Sequence, residues 1–101
     1  MKKVLIPLVA AALAVSSGFS FAAGDAAKGK AKAATCAGCH GPAGMSFNTL
    51  WPNLAGQKEG YLIKQIAAFR DGVRNDPMMA SMVKSLSDED IANLAAYYAG
   101  L

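Results

Sequence analysis

The sequence predicts an all-α fold, three or more helices joined by long loops. Three observations predict it. Apolar residues recur at helical spacing from residue 25 onward, and no stretch shows the two-residue alternation of a half-buried strand. Residues suited to capping stand where the periodic stretches begin, above all "SDED" at 87–90. Gly, Pro and Asn collect in two intervening stretches, 41–56 and 72–86.

The first 22 residues lie outside this pattern. Lys2 and Lys3 are basic, "VLIPLVAAALAV" is apolar, and "SSGFSFAA" is mostly small. Basic, apolar and small segments in that order form a secretory signal peptide. Ser20 and Ala22 stand at the −3 and −1 positions, so cleavage is expected after Ala22. The apolar core falls short of the ~20 residues a spanning helix needs. The expected division is a leader at 1–22 and one domain at 23–101, exported to the periplasm and without a membrane anchor after cleavage. The leader carries two lysines and no acid. Without it the formal charge drops from +3 to +1, and no basic stripe remains to suggest nucleic-acid binding.

The first helix is expected over about 25–35, "DAAKGKAKAAT", with Asp25 as N-cap. Its Gly29 and Ala33 would let another helix approach closely. Residues 41–56, "GPAGMSFNTLWPNLAG", read as loop. A second helix fits 58–71, with Tyr61, Leu62, Ile66 and Phe69 on one side and Arg70, Asp71 and Gly72 closing it. The stretch 72–86 begins as loop, and the residue before Pro77 should be extended. A short helical turn fits "MASMVKS" within it. The last helix has Ser87 as N-cap and Asp90 at N3, a variant of the capping box. Asp88, Glu89 and Asp90 also suit the positive end of the helix dipole. Ile91, Leu94, Ala95 and Tyr98 form its apolar stripe, and Gly100 ends it.

Loops this long in a domain of ~80 residues usually hold something, and so small a core needs a staple, a metal or a cofactor. The stretch "CAGCH" at 36–40 supplies the chemistry. It contains both cysteines and the only histidine of the chain. A disulfide between Cys36 and Cys39 would close a ring too small to restrain the unfolded chain. A thioredoxin-like redox pair needs a βαβ setting. Structural zinc needs a fourth ligand, and no further Cys or His exists. The remaining reading is covalent haem c, for which C-x-x-C-H is the attachment motif. On a helical turn, residues i and i+3 share a side and i+4 lies close by. Cys36 and Cys39 can then form thioethers to the two vinyl groups, while His40 binds the iron from one face.

What occupies the opposite face decides the function. No second histidine is present. Met1 leaves with the leader, and Met45 is only five residues past His40. Met78, Met79 and Met82 remain as iron ligands, each against the alternative of filling core.

"AGDAAKGKAKAATCAGCHG", "PNLAGQ" and "LSDEDIANLAAYY" together resemble the class I c-type cytochromes, most closely one domain of the cytochrome c4 group and the small cytochrome c553 proteins. The likeness runs over essentially all of 23–101. It implies a cytochrome c-like fold, helices wrapped around one covalently bound haem. It places the distal ligand eight residues before the Ser that caps the last helix, which is Met79. It implies that the Pro52 carbonyl accepts a hydrogen bond from the proximal His40, and that Gly29 meets Leu94 or Tyr98 where the first and last helices cross. Tyr61, Lys64, Gln65 and Arg70 are candidate propionate partners, and Trp51 a candidate for the haem edge. A His/Met-ligated iron has no open site, so the expected function is one-electron transfer and not catalysis. Expected partners are redox proteins: membrane cytochrome complexes, terminal oxidases or reductases, and dehydrogenases. Two alternatives stand beside a free carrier: the electron-transfer subunit of a periplasmic dehydrogenase, and an open-site haem enzyme or gas-binding protein.

Overall fold

A computed structural model describes residues 2–4 and 24–101. The expected leader at 1–22 lies outside the described residues, save for its positions 2–4. Five helices follow one another: α1 (Ala26–Lys32), α2 (Ala34–His40), α3 (Glu59–Arg70), α4 (Pro77–Val83) and α5 (Asp88–Ala99). Among the described residues there is no strand, and no helix is long and apolar enough to cross a membrane.

The expected first helix is two. Asp25 caps α1, its Oδ1 accepting from the Ala27 and Lys28 amides. At Ala33 the chain tightens into a single turn, the Ala33 amide serving both the Gly29 and Lys30 carbonyls at 2.9 and 3.3 Å. Ala33 keeps right-handed helical angles, φ −70° and ψ −10°, and α2 starts directly after it. Thr35, Cys36, Ala37, Gly38, Cys39 and His40 are therefore helical.

The 72–86 stretch is also more helical than its composition suggests. Asp76 is extended, φ −147° and ψ 107°, as the residue before a proline should be. Its carboxylate accepts from the Met78 and Met79 amides, both at 3.0 Å. Pro77 takes the first helical position, where a missing N–H costs nothing. A proline that looks like a breaker thus starts α4.

Helix α5 is the spine. The Ser87 hydroxyl accepts from the Asp90 amide and the Asp90 carboxylate accepts from the Ser87 amide, both at 3.0 Å, completing the capping box. Gly100 ends the helix with right-handed angles, φ −85° and ψ −3°, so it does not act as a left-handed cap. Ile91, Leu94, Ala95 and Tyr98 are all buried, and with Ala33 and Leu62 the last three form the core cluster. Burying a Leu or Ile side chain contributes about 1.5–3 kcal/mol.

Helix α1 crosses α5 at Gly29. A Cβ there would overlap the Asn93 carbonyl and lie 2.9 Å from the Tyr97 Cβ. The crossing partners are therefore Asn93 and Tyr97, one residue before the expected Leu94 and Tyr98, because the latter two point into the core. Asn93 is itself buried, and its Oδ1 accepts from the Asp25 amide at 2.7 Å, fastening the start of α1 to α5.

Arg70 joins α3 to α5. Its guanidinium reaches the Asp88 carboxylate at 2.8 Å, the Leu86 carbonyl at 3.1 Å and the Asp71 carboxylate at 2.9 Å. The Arg70 guanidinium holds the Asp71 carboxyl below the usual carboxylate range.

Candidate haem site

Helix α2 carries Cys36, Cys39 and His40 on a single turn and a fraction. Both cysteines are half-buried thiols, and His40 is buried. The two sulfurs stand at i and i+3, so they face the same way. Cys36 lies against Tyr98 of α5. Burial pushes the Cys36 thiol up, while a hydrogen bond with the Tyr98 hydroxyl pulls it down. Tyr98, expected only to pack, thus also meets the site with its polar end; burial raises its own hydroxyl well above the usual range.

Gly41 turns the chain away immediately after His40. Its φ is +86°, and a Cβ would run into the Met45 backbone. The loop of 41–56 then returns Pro52 to His40. His40 Nδ1 stands 2.8 Å from the Pro52 carbonyl oxygen. A carbonyl only accepts, so Nδ1 carries the proton and donates. That leaves Nε2 as the ring's lone-pair donor.

The methionines separate by helix face. On α4, Val83 is buried and Met79, four residues earlier, is half-buried with Ala80. Positions i and i+4 share a face, so Met79 lies on the packed side. Met78 and Met82 are 55% and 42% exposed, and Met45 in the loop is 53% exposed. Met79 is the one whose setting suits an interior role.

The candidate propionate partners fare unevenly. Arg70 is committed to Asp71, Asp88 and Leu86, and Gln65 accepts from Arg74 at 2.9 Å. Tyr61 is half-exposed and Lys64 exposed. Trp51 is half-buried beside Pro52.

Sequence reasoning passed over Ser46 and Asn53, which brace the Pro52 loop. Their local signal was present, a polar pair flanking an uncharged segment, but it matched any turn.

A model of the cytochrome c family matches residues 26–101. The chain belongs to the cytochrome c family. The cytochrome is 49% identical over 83 residues to cytochrome c4 of Pseudomonas aeruginosa, which is 82% of this chain and 41% of that protein. It is 51% identical over 79 residues to cytochrome c-554(548) of Halomonas halodenitrificans, 75% of this chain and 95% of that protein. A thiosulfate dehydrogenase electron acceptor of Stutzerimonas stutzeri is 42% identical over 69 residues, 65% of this chain and 32% of that protein. Among solved structures, cytochrome c4 of Acidithiobacillus ferrooxidans superposes with a TM-score of 0.73 at 33% identity, over 85% of this chain and 54% of that one. The chain thus spans about two-fifths of the Pseudomonas cytochrome c4 and nearly all of cytochrome c-554(548).

The cytochrome is a c4-like member of the class I c-type cytochromes, with the cytochrome c fold and covalently attached haem c. The donor set fits that group. Two thiols share a helix face, an imidazole next to them has one nitrogen tied down and one available, and a half-buried thioether lies on a separate helix.

Proposed function

We propose that the cytochrome transfers single electrons between redox partners in the periplasm through a haem held by four of its side chains. Cys36 and Cys39 form the thioethers. His40 Nε2 is the proximal ligand and the Met79 sulfur the distal one. Residues 1–22 act as the leader and 23–101 as the working domain. The observation that carries this reading is the His40–Pro52 bond. It fixes the tautomer of the chain's only histidine, with Nε2 available beside the two cysteines.

When bound, the haem supplies a one-electron Fe(III)/Fe(II) couple. The protein does the rest. Pro52 orients the imidazole and makes it a better donor. Met79 contributes a soft sulfur that favours the ferrous state, and a buried setting adds to this. With His40 and Met79 both holding it, the haem would leave no open position for a substrate, which argues against an open-site enzyme or gas binder. Short, transient contacts with membrane cytochrome complexes, oxidases, reductases or dehydrogenases suit such a carrier.

The visible spectrum of the holoprotein tests this. A low-spin reduced spectrum, a weak far-red sulfur-to-Fe(III) band and no response to carbon monoxide are expected. A high-spin spectrum that shifts with carbon monoxide would overturn Met79 ligation and favour an open site. The likeness to a thiosulfate dehydrogenase electron acceptor favours one second reading, a subunit of a periplasmic dehydrogenase. A dehydrogenase that co-purifies in fixed stoichiometry would select it over the free carrier.

A further inference from the structure

The Pro52 carbonyl that accepts the hydrogen bond from His40 Nδ1 sits in a loop without regular structure, and Pro52 itself is exposed. Something must hold that carbonyl in place. The carbonyl belongs to the peptide unit joining Pro52 to Asn53, so whatever anchors Asn53 aims it. The Asn53 Oδ1 accepts from the Ser46 amide at 2.7 Å. The Ser46 hydroxyl accepts from the Asn48 amide at 3.1 Å. Its single proton is shared between the Asn48 carbonyl at 2.9 Å and the Cys39 carbonyl at 3.3 Å. Asn48 O also accepts from the Trp51 amide at 3.1 Å, on the other side of Pro52. Directly after Asn53, the Leu54 and Ala55 amides both donate to the Gly44 carbonyl, at 2.8 and 3.0 Å. Ser46 thus links three points: the last turn of α2 at Cys39, the approach to Pro52 through Asn48, and the exit through Asn53.

We propose that Ser46 and Asn53 are positioning residues for the proximal imidazole, a clamp that aims the Pro52 carbonyl at His40 Nδ1 and so sets the reduction potential. The inference rests on His40 as the proximal ligand. Its chemistry has a definite sign. A hydrogen bond from Nδ1–H makes Nε2 a stronger donor, and a stronger donor favours the more highly charged Fe(III). Loosening the clamp weakens that bond and raises the potential.

The test compares Asn53→Ala, Ser46→Ala, Ser46→Thr and Gln57→Ala in the holoprotein. Midpoint potential and exchange of the His40 Nδ1 proton in the reduced form, read by NMR, are both measured. Asn53→Ala and Ser46→Ala are expected to raise the potential and speed exchange by roughly fivefold, the effect of one ordinary hydrogen bond. Ser46→Thr keeps the hydroxyl and should return both toward wild type. Gln57→Ala removes a loop bond of the same kind, Lys58 amide to Gln57 Oε1 at 2.8 Å, outside the clamp. It should move neither quantity. The inference is wrong if the first two variants lose only thermal stability, or if Gln57→Ala moves the potential as far as they do. A wild-type protein without a low-spin spectrum would instead refute His/Met ligation, and the clamp's role with it.

Discussion

Gly29 and Gly60 make a matched pair in which the same substitution should have opposite signs. Both are helical, and replacing Gly by Ala in a helix interior gains up to about 1 kcal/mol of propensity. At Gly60, in the first turn of α3, an added Cβ meets nothing within 4 Å, so Gly60→Ala should keep that gain, reduced near a helix end to about 0.5 kcal/mol. At Gly29 the Cβ meets the Asn93 backbone carbonyl and, at 2.9 Å, the Tyr97 Cβ. Neither can swing aside as the tip of a long side chain would. Helices α1 and α5 must separate, at an overpacking cost of about 1–3 kcal/mol. The Asp25–Asn93 bond, one turn away at 2.7 Å, would stretch as well, adding about 1 kcal/mol. After subtracting the propensity gain, Gly29→Ala should destabilise by about 1–3 kcal/mol. For a domain of this size each kcal/mol lowers Tm by about 4–8 °C. Thermal unfolding of the holoprotein, followed by far-ultraviolet circular dichroism, reads both variants. A Gly29→Ala protein as stable as wild type would refute the close crossing of α1 and α5.

Four other outcomes follow from the same contacts. Met79→Ala should abolish the far-red band and admit carbon monoxide, whereas Met78→Ala and Met82→Ala should keep a wild-type visible spectrum. Asn93→Ala should lower the urea midpoint by the equivalent of about 1–3 kcal/mol, because it orphans the Asp25 amide. Ser87→Ala should cost about 1 kcal/mol in the same assay by removing one half of the capping box. The Asp90 carboxyl is held below its usual value, first by the Ser87 amide and then by Lys32. A depressed folded pKa means its stabilisation is present above the unfolded value of about 4 and is lost as pH falls through the folded one. Asp90→Asn should therefore flatten the fall of the urea midpoint on the acid side; an unchanged slope would refute that contribution.

Legibility in the sequence followed the range of the interactions. The caps at Asp25 and Ser87 and the stripe of α5 were readable because each is settled within four residues. The break at Ala33 was not. Nothing in "KAAT" disfavours a continuous helix, and the tight turn there falls between α1, which is bound to α5 at Asn93, and α2, which packs Cys36 beside Tyr98. Helix α4 was half-readable for the opposite reason. Gly72, Asn75 and Pro77 mark a loop by composition, yet Asp76 and Pro77 are also an ideal helix start, and composition alone does not weigh one use against the other.

The site divides in the same way. "CAGCH" is legible because the spacing is the chemistry: two thiols and an imidazole within five residues of one helix. Pro52 could be named only through resemblance, since twelve residues separate it from His40. The clamp of Ser46 and Asn53 was not legible at all. Serine and asparagine in a polar loop are what any turn contains, and only the folded chain shows that their hydrogen bonds converge on the Pro52 peptide. The residues proposed to attach the cofactor are thus written locally, whereas those proposed to tune it act through a loop tied to α2 at Cys39 and to α5 at Tyr98. On the proposed reading the motif decides what is bound, and the return path of residues 41–56 would decide how strongly His40 donates.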